Sequence, residues 1–259
     1  MINKLNGFAH NYYSQNGEDG ILNELLLQLE KNVKLSRWVC EFGAWDGVFL
    51  SNTFFLVERG ANAVYIEGDK IKFQLLLETV QRFPNITPIN NMVSTETFGD
   101  DSLNEILKST KIPKDFDVLS IDIDSFDLSV WESLTEFKPK VVIIEINSSV
   151  LPGTIWRHSD LTPGNTFSAT INVGKVKGYT AVCHTGNLFF VRNDLIEYVI
   201  IDKRFIDLPE LLFLYDSQWV KAALSNPLED PTSILKLYNS FFRALIKKCL
   251  RFVKFKHNQ

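Results

Sequence analysis

Residues 38–47 read Trp-Val-Cys-Glu-Phe-Gly-Ala-Trp-Asp-Gly, and this stretch decides the fold. A short apolar run that stops at glycines reads as a strand buried on both faces. Gly43 and Gly47 let the backbone turn tightly behind the strand and approach a ligand closely. The spacing is not G-x-G-x-x-G, so no diphosphate cradle is indicated. In its place stands Glu41, and a carboxylate beside a glycine turn suits a ligand that carries positive charge.

Working outward, similar runs occupy 63–67, 86–90, 118–122 and 141–146. Helical stretches at 51–59, 70–82, 102–109 and 129–137 lie between them, and residues 19–29 form another before the first strand. This alternation predicts a parallel sheet with covering helices. A helix over 167–177 follows, then strands at 179–184 and 187–192 joined by Thr185-Gly186. The expectation is an α/β, Rossmann-like domain over 1–192, with five parallel βα units closed by an antiparallel pair. Residues 193–232 lack a clear period and are expected as small helices covering the same domain. Residues 233–259 are expected as a basic amphipathic C-terminal helix, with Ile234, Leu237, Phe241, Leu245 and Ile246 at helical spacing among cations.

The composition of the 259 residues, 45% hydrophobic and 22% charged, demands a core and excludes a disordered chain. No run approaches the roughly 18 apolar residues of a membrane span. Three scattered cysteines (Cys40, Cys183, Cys249) make neither a disulfide framework nor a thiolate zinc site. With no apolar signal segment at the N-terminus, a reducing, cytoplasmic setting is expected. The net charge of −4 hides an asymmetry: residues 231–259 carry seven of the 27 basic residues and no acid, so residues 1–230 carry −11. An acidic body argues against nucleic acid as a partner. The basic tail suits an anionic membrane surface, its own acidic body or a second copy of the chain, so peripheral membrane or homodimer contact through 233–259 is expected.

Acids recur where strands should end. Glu67 closes the second strand 26 residues beyond Glu41, near the spacing at which an acid grips a ribose diol. Asp122 and Asp124 share one side at the end of the fourth strand, and Glu145 and Asn147 do the same on the fifth. Asp127 can instead cap the helix near residue 129. The oxygen-rich set of Asp122, Glu145 and Asn147 suits Mg²⁺ or Mn²⁺ better than zinc. Residues 148–166 form a long loop rich in Pro, Gly and Thr, of a length uncommon unless functional. Within it Trp156 can stack on a substrate ring and Arg157 can meet a phosphate. Asp124 and His158 are the candidate bases, and His184 reads as structural.

Two motifs, EFGAWDG at 41–47 and IEGD at 66–69, resemble the first two motifs of the class I S-adenosylmethionine methyltransferases. YSQNGEDG at 13–20 resembles the segment that precedes them in FkbM-like methyltransferases, associated with polysaccharide and antibiotic sugar modification. The resemblance spans roughly residues 12–192. It implies the strand order 3-2-1-4-5-7-6, with Gly43 and Gly47 at the methionine end of the cofactor and Glu67 on the ribose. By the same resemblance Asn90 and Asn91 lie near the adenine, and Gln15, Glu41 and Asp122 join the cofactor-binding set. The pairs Asp122–Asp124 and Glu145–Asn147 are similar to the metal site of TylF-type sugar O-methyltransferases, except that Glu145 and Asn147, separated by Ile146, stand where that type has paired acids. The resulting expectation is an O-methyltransferase that uses S-adenosyl-L-methionine, with catalytic residues Asp122, Asp124 and His158. Its acceptor is expected to be a nucleotide-linked sugar used for surface polysaccharide. Alternatives are N-methylation of an amino sugar or small amine, and a non-catalytic cofactor-binding module docked to a membrane assembly.

Overall fold

In the computed structural model, which describes residues 3–225, seven strands form one sheet. They are β1 (Trp38–Phe42), β2 (Asn62–Ile66), β3 (Ile86–Ile89), β4 (Val118–Ile121), β5 (Val141–Glu145), β6 (Tyr179–His184) and β7 (Asn187–Arg192). Their order is β3-β2-β1-β4-β5-β7-β6, the order expected for a class I methyltransferase fold. The first five are parallel, while β7 runs antiparallel to both β5 and β6. The order reverses between β1 and β4, and at such a switch point the connecting chains diverge to opposite faces and leave a crevice at the strand ends.

Strand sequences explain the two-sided burial. In β1 and β2 alternate residues enter opposite cores: Cys40, Phe42, Val64 and Ile66 on one face, Val39, Ala63 and Tyr65 on the other. The first face is covered by α4 (Leu103–Lys108), α5 (Asp127–Ser133) and α6 (Phe167–Val176), with Trp131 fully buried among them. The second is covered by α1 (Glu18–Glu30), α2 (Phe54–Glu58) and α3 (Lys70–Arg82). Ile21, Leu22, Leu25 and Leu29 form the apolar stripe of α1 and are fully buried, each contributing about 1.5–3 kcal/mol of burial free energy. Asp69, Ser102 and Thr166 cap α3, α4 and α6 through their side-chain oxygens.

Several boundaries differ from expectation, most of them at the edge that bears the strand C-termini; at the other edge β2 starts one residue early and α5 ends at Ser133, four residues short. Glu67, Asp122 and Ile146 lie just past their strands rather than in them, because the chain leaves the sheet there to build the crevice. Residues 51–53 precede α2 instead of starting it, since their polar groups are committed to Glu41. α5 begins at Asp127, two residues early.

After β7 come a 3₁₀ turn (Asn193–Tyr198), α7 (Lys203–Asp207), a second 3₁₀ turn (Pro209–Leu212) and α8 (Gln218–Ser225). Phe205, Leu212, Phe213 and Val220 join the first core, and Leu195 and Val199 the second. Residues 226–232 of the expected helical cover, and the whole basic segment 233–259, lie outside the described residues. Among the described residues no helix is long and apolar enough to cross a membrane.

Candidate functional site

The chains leaving β1, β2 and β4 enclose a cleft of about 790 Å³. Its floor is the glycine turn. Gly43 has φ +77°, and a Cβ there would lie 1.7 Å from the Asp122 carbonyl oxygen, so only glycine fits. Gly47, at φ +80°, packs against Leu76 and Tyr65. Between them Trp45 takes a left-handed conformation at φ 51°, an uncommon state for a bulky side chain. That conformation accompanies a hydrogen bond from the Trp45 amide to Glu67 Oε2 at 2.8 Å.

Glu67 is buried, and the Asp69 amide donates to its Oε1 at 2.7 Å. Each oxygen keeps a free acceptor site, and both belong to the wall of the cleft. Two fixed acceptors side by side match a vicinal diol. Asn91 lines the same cleft with Met92, while the Asn90 side chain donates to the Glu67 carbonyl at 2.7 Å.

Glu41 departs from its expected role. Although it lines the cleft, its Oε2 accepts from Ser51 Oγ, the Thr53 amide and Thr53 Oγ1, and its Oε1 from the Asn52 amide. Burial raises its pKa and these donors oppose the rise. Its main work is to hold the 51–53 loop. The acids of the 13–20 motif are likewise committed inside the chain. Asp19 Oδ2 accepts the amides of Tyr12, Tyr13 and Ser14 at 2.6–2.8 Å, and Glu18 Oε1 accepts from Thr185 and Asn187. The loop fixed in this way leaves Gln15 at the rim of the cleft.

At the far end Asp122, Asp124 and Glu145 bring one oxygen each within 4.8 Å of the others. Asp122 and Glu145 share a hydrogen bond, and both pKa values are raised, first by burial and then by the neighbouring carboxylates. Two acids so placed titrate as one unit, with a proton affinity above that of an ordinary carboxylate. Asp124 has φ 58°, another left-handed residue at this edge. Behind them Asp127 is buried and accepts the amides of Ile123 and Ser125 at 2.8 and 2.9 Å. It therefore ties down the 123–126 turn, and α5 starts at Asp127 for that reason.

Asn147 is withdrawn from this set, contrary to its expected place among metal ligands. Its Oδ1 accepts from the Ser149 amide and hydroxyl, and its Nδ2 donates to the Pro163 carbonyl at 2.9 Å. Asp122, Asp124 and Glu145 remain as oxygen donors of the kind that suits Mg²⁺ or Mn²⁺.

The long 148–166 loop does not cover the cleft, because it is pinned back on itself and on α5. Arg157 forms a forked ion pair with Glu132. His158 Nδ1 accepts the Gly164 amide at 3.1 Å, with its ring against Phe126. Trp156 is half-buried. None of the three is in the wall of the cleft, so the structure does not bring the expected base His158 or the expected substrate contacts Trp156 and Arg157 into it. The aromatic group at the cleft is instead Trp45, with Lys72 4.1 Å above its ring, joined by Phe49 and Phe126. A Trp inside a glycine turn was the sequence signal for it.

No protein-family model matches the sequence, and no curated protein matches it either. Among solved structures, an S-adenosylmethionine-dependent methyltransferase from Aquifex aeolicus is 12% identical at a TM-score of 0.40, covering 65% of this chain and 88% of its own. An O-methyltransferase so described from Klebsiella pneumoniae is 14% identical at 0.44, covering 73% and 87%. TrmK from M. capricolum, solved with S-adenosylhomocysteine, is 14% identical at 0.39, covering 65% and 68%. Cofactor and acceptor have to be read from this chain's own residues.

Proposed function

We propose that the chain is an O-methyltransferase that uses S-adenosyl-L-methionine and acts on a hydroxyl of a sugar, of the kind found in nucleotide-linked sugars and surface polysaccharide. The observation that carries the reading is the juxtaposition, across one cleft, of the Glu67 diol acceptor and the three acids Asp122, Asp124 and Glu145. The volume suits a nucleoside with an amino-acid tail, and negative side chains at the acid end suit a sulfonium.

When bound, the cofactor supplies the methyl group: the acceptor oxygen bonds to the methyl carbon, the carbon–sulfur bond breaks with its electron pair on sulfur, and the hydroxyl proton is released. The chain's task is positioning and removal of that proton. Glu67 holds the ribose end. The pair of Asp122 and Glu145, with its raised proton affinity, is the proton acceptor, and Asp124 orients the hydroxyl. A Mg²⁺ or Mn²⁺ ion on Asp122, Asp124 and Glu145 would lower the hydroxyl's own pKa. Activity lost in EDTA and restored by Mn²⁺ would point to that arrangement, and unchanged activity to the carboxylates alone.

Transfer of tritiated methyl from S-adenosylmethionine to a panel of glycosides and amino sugars tests the reading. The wild type is expected to label a hydroxyl, and Glu145→Gln to lose at least about 100-fold in rate while still binding the cofactor product. Labelling of amines alone, unaffected by Glu145→Gln, would favour N-methylation.

A further inference from the structure

Beside the cleft lies a second cavity of about 250 Å³, which shares the side chains of Asp124 and Glu145 with it. Resting on the function proposed above, we propose that this cavity is the acceptor site and that it takes one uncharged, hydroxyl-rich ring, seated against Trp219 of α8 with a hydroxyl between Asp124 and Glu145.

Three features of the wall support this. The first is size: the cavity is below the roughly 300 Å³ at which pockets begin to enclose drug-sized molecules, so it admits a single ring and leaves the rest of a larger acceptor outside.

The second is charge. Three carboxylates, Asp124, Asp127 and Glu145, line the cavity, and among its described lining residues there is no Lys, Arg or His. With no ion on the acids, a phosphate or carboxylate inside the cavity would face like charge from these side chains. This favours an uncharged group in the cavity itself.

The third is hydrogen-bonding polarity. The small polar side chains of the wall are committed to the chain: Ser148 donates to the Gly186 carbonyl, Asn165 to the Ser125 carbonyl, and Asn147 to Pro163. Asp127, buried, turns one oxygen to each of two backbone amides. The acceptor capacity left on the carboxylates, chiefly on Asp124 and Glu145, favours an occupant that brings donors, as a polyol does. Trp219, whose ring atoms Cζ2 and Cη2 lie beside Gly186, belongs to the same wall and supplies the apolar aromatic surface for the C–H side of such a ring. The shared acids place a hydroxyl bound here at the acid end of the cleft, where the proton has to be taken.

The test uses the full chain saturated with S-adenosylhomocysteine and saturation-transfer NMR against methyl glycosides of glucose, galactose, mannose and fucose, and against methyl glucuronoside, whose carboxylate is carried on the ring itself. At least one neutral glycoside is expected to bind, and methyl glucuronoside to bind more weakly than methyl glucoside. Trp219→Ala is expected to weaken the bound glycoside by at least about tenfold. Ser149→Trp, which fills the cavity from its wall, should abolish glycoside binding while S-adenosylhomocysteine affinity stays within about twofold, which shows that the variant is folded. If S-adenosylhomocysteine itself fails to bind wild type, the proposed function falls. If it binds but no neutral glycoside does, or methyl glucuronoside binds better than methyl glucoside, or neither variant alters glycoside binding, the acceptor-site inference falls alone.

Discussion

At the scale of single residues, the site depends on backbone states that few side chains tolerate. Gly43 is the strictest. Gly43→Ala would place a methyl group 1.7 Å from the Asp122 carbonyl oxygen and require alanine at φ +77°, so the turn has to open. We expect a loss of roughly 2–4 kcal/mol in urea unfolding, and a loss under 0.5 kcal/mol would show that the turn is not as drawn. The glycine turn, Glu67 and the acids at the ends of β4 and β5 were legible in the sequence because their chemistry is tied to strand ends. The commitments of Glu41 and Asn147 were not. Both look like free ligands in a sequence, and only the fold reveals that Ser51, Thr53 and Ser149 already occupy them.

At the scale of elements, the hairpin of β6 and β7 is tied to the segments around it by a buried histidine. His184 Nδ1 accepts the Leu214 amide at 3.1 Å, so the ring proton sits on Nε2 and is directed at Ser148 Oγ, 2.9 Å away. Its ring stacks on Phe213. Burial lowers its pKa from 6.5 to about 3. The unfolded chain therefore takes up a proton below about pH 6.5 that the folded chain refuses, and stability present above that pH is lost as pH falls. Buried acids such as Glu41 and Asp127, whose pKa values are raised, act in the opposite direction, so the comparison has to be with a variant. Between pH 8 and pH 5 the wild type is expected to lose about 2 kcal/mol more than His184→Gln; parallel curves would contradict the neutral, buried imidazole. Element order and type were readable from periodicity, and His184 from its place in a strand. The 148–166 loop was not, since nothing local says that Arg157 will find Glu132 on α5. Long loops are read by length, and length does not tell which way they fold.

At the scale of the molecule, the seven-stranded sheet gathers at one edge what the chain spreads from Gln15 to Glu145. Glu67 leaves the end of β2, the acid pair Asp122 and Glu145 follows β4 and closes β5, and the cleft between them is the space the switch point of the sheet opens. The second cavity, which shares these acids, adds a donor-seeking wall without a cation among its described residues. Cofactor at one end, acceptor at the other and a shared carboxylate edge between them make one account. Its foundation is the proposed grip of Glu67 on a ribose. Isothermal titration calorimetry of S-adenosylhomocysteine against wild type and Glu67→Ala tests this most directly. The account predicts micromolar binding to the wild type and at least about a tenfold weaker affinity in the variant, the loss of two hydrogen bonds to a charged acceptor. Absence of binding to the folded wild type, or equal affinity in the two proteins, would contradict it.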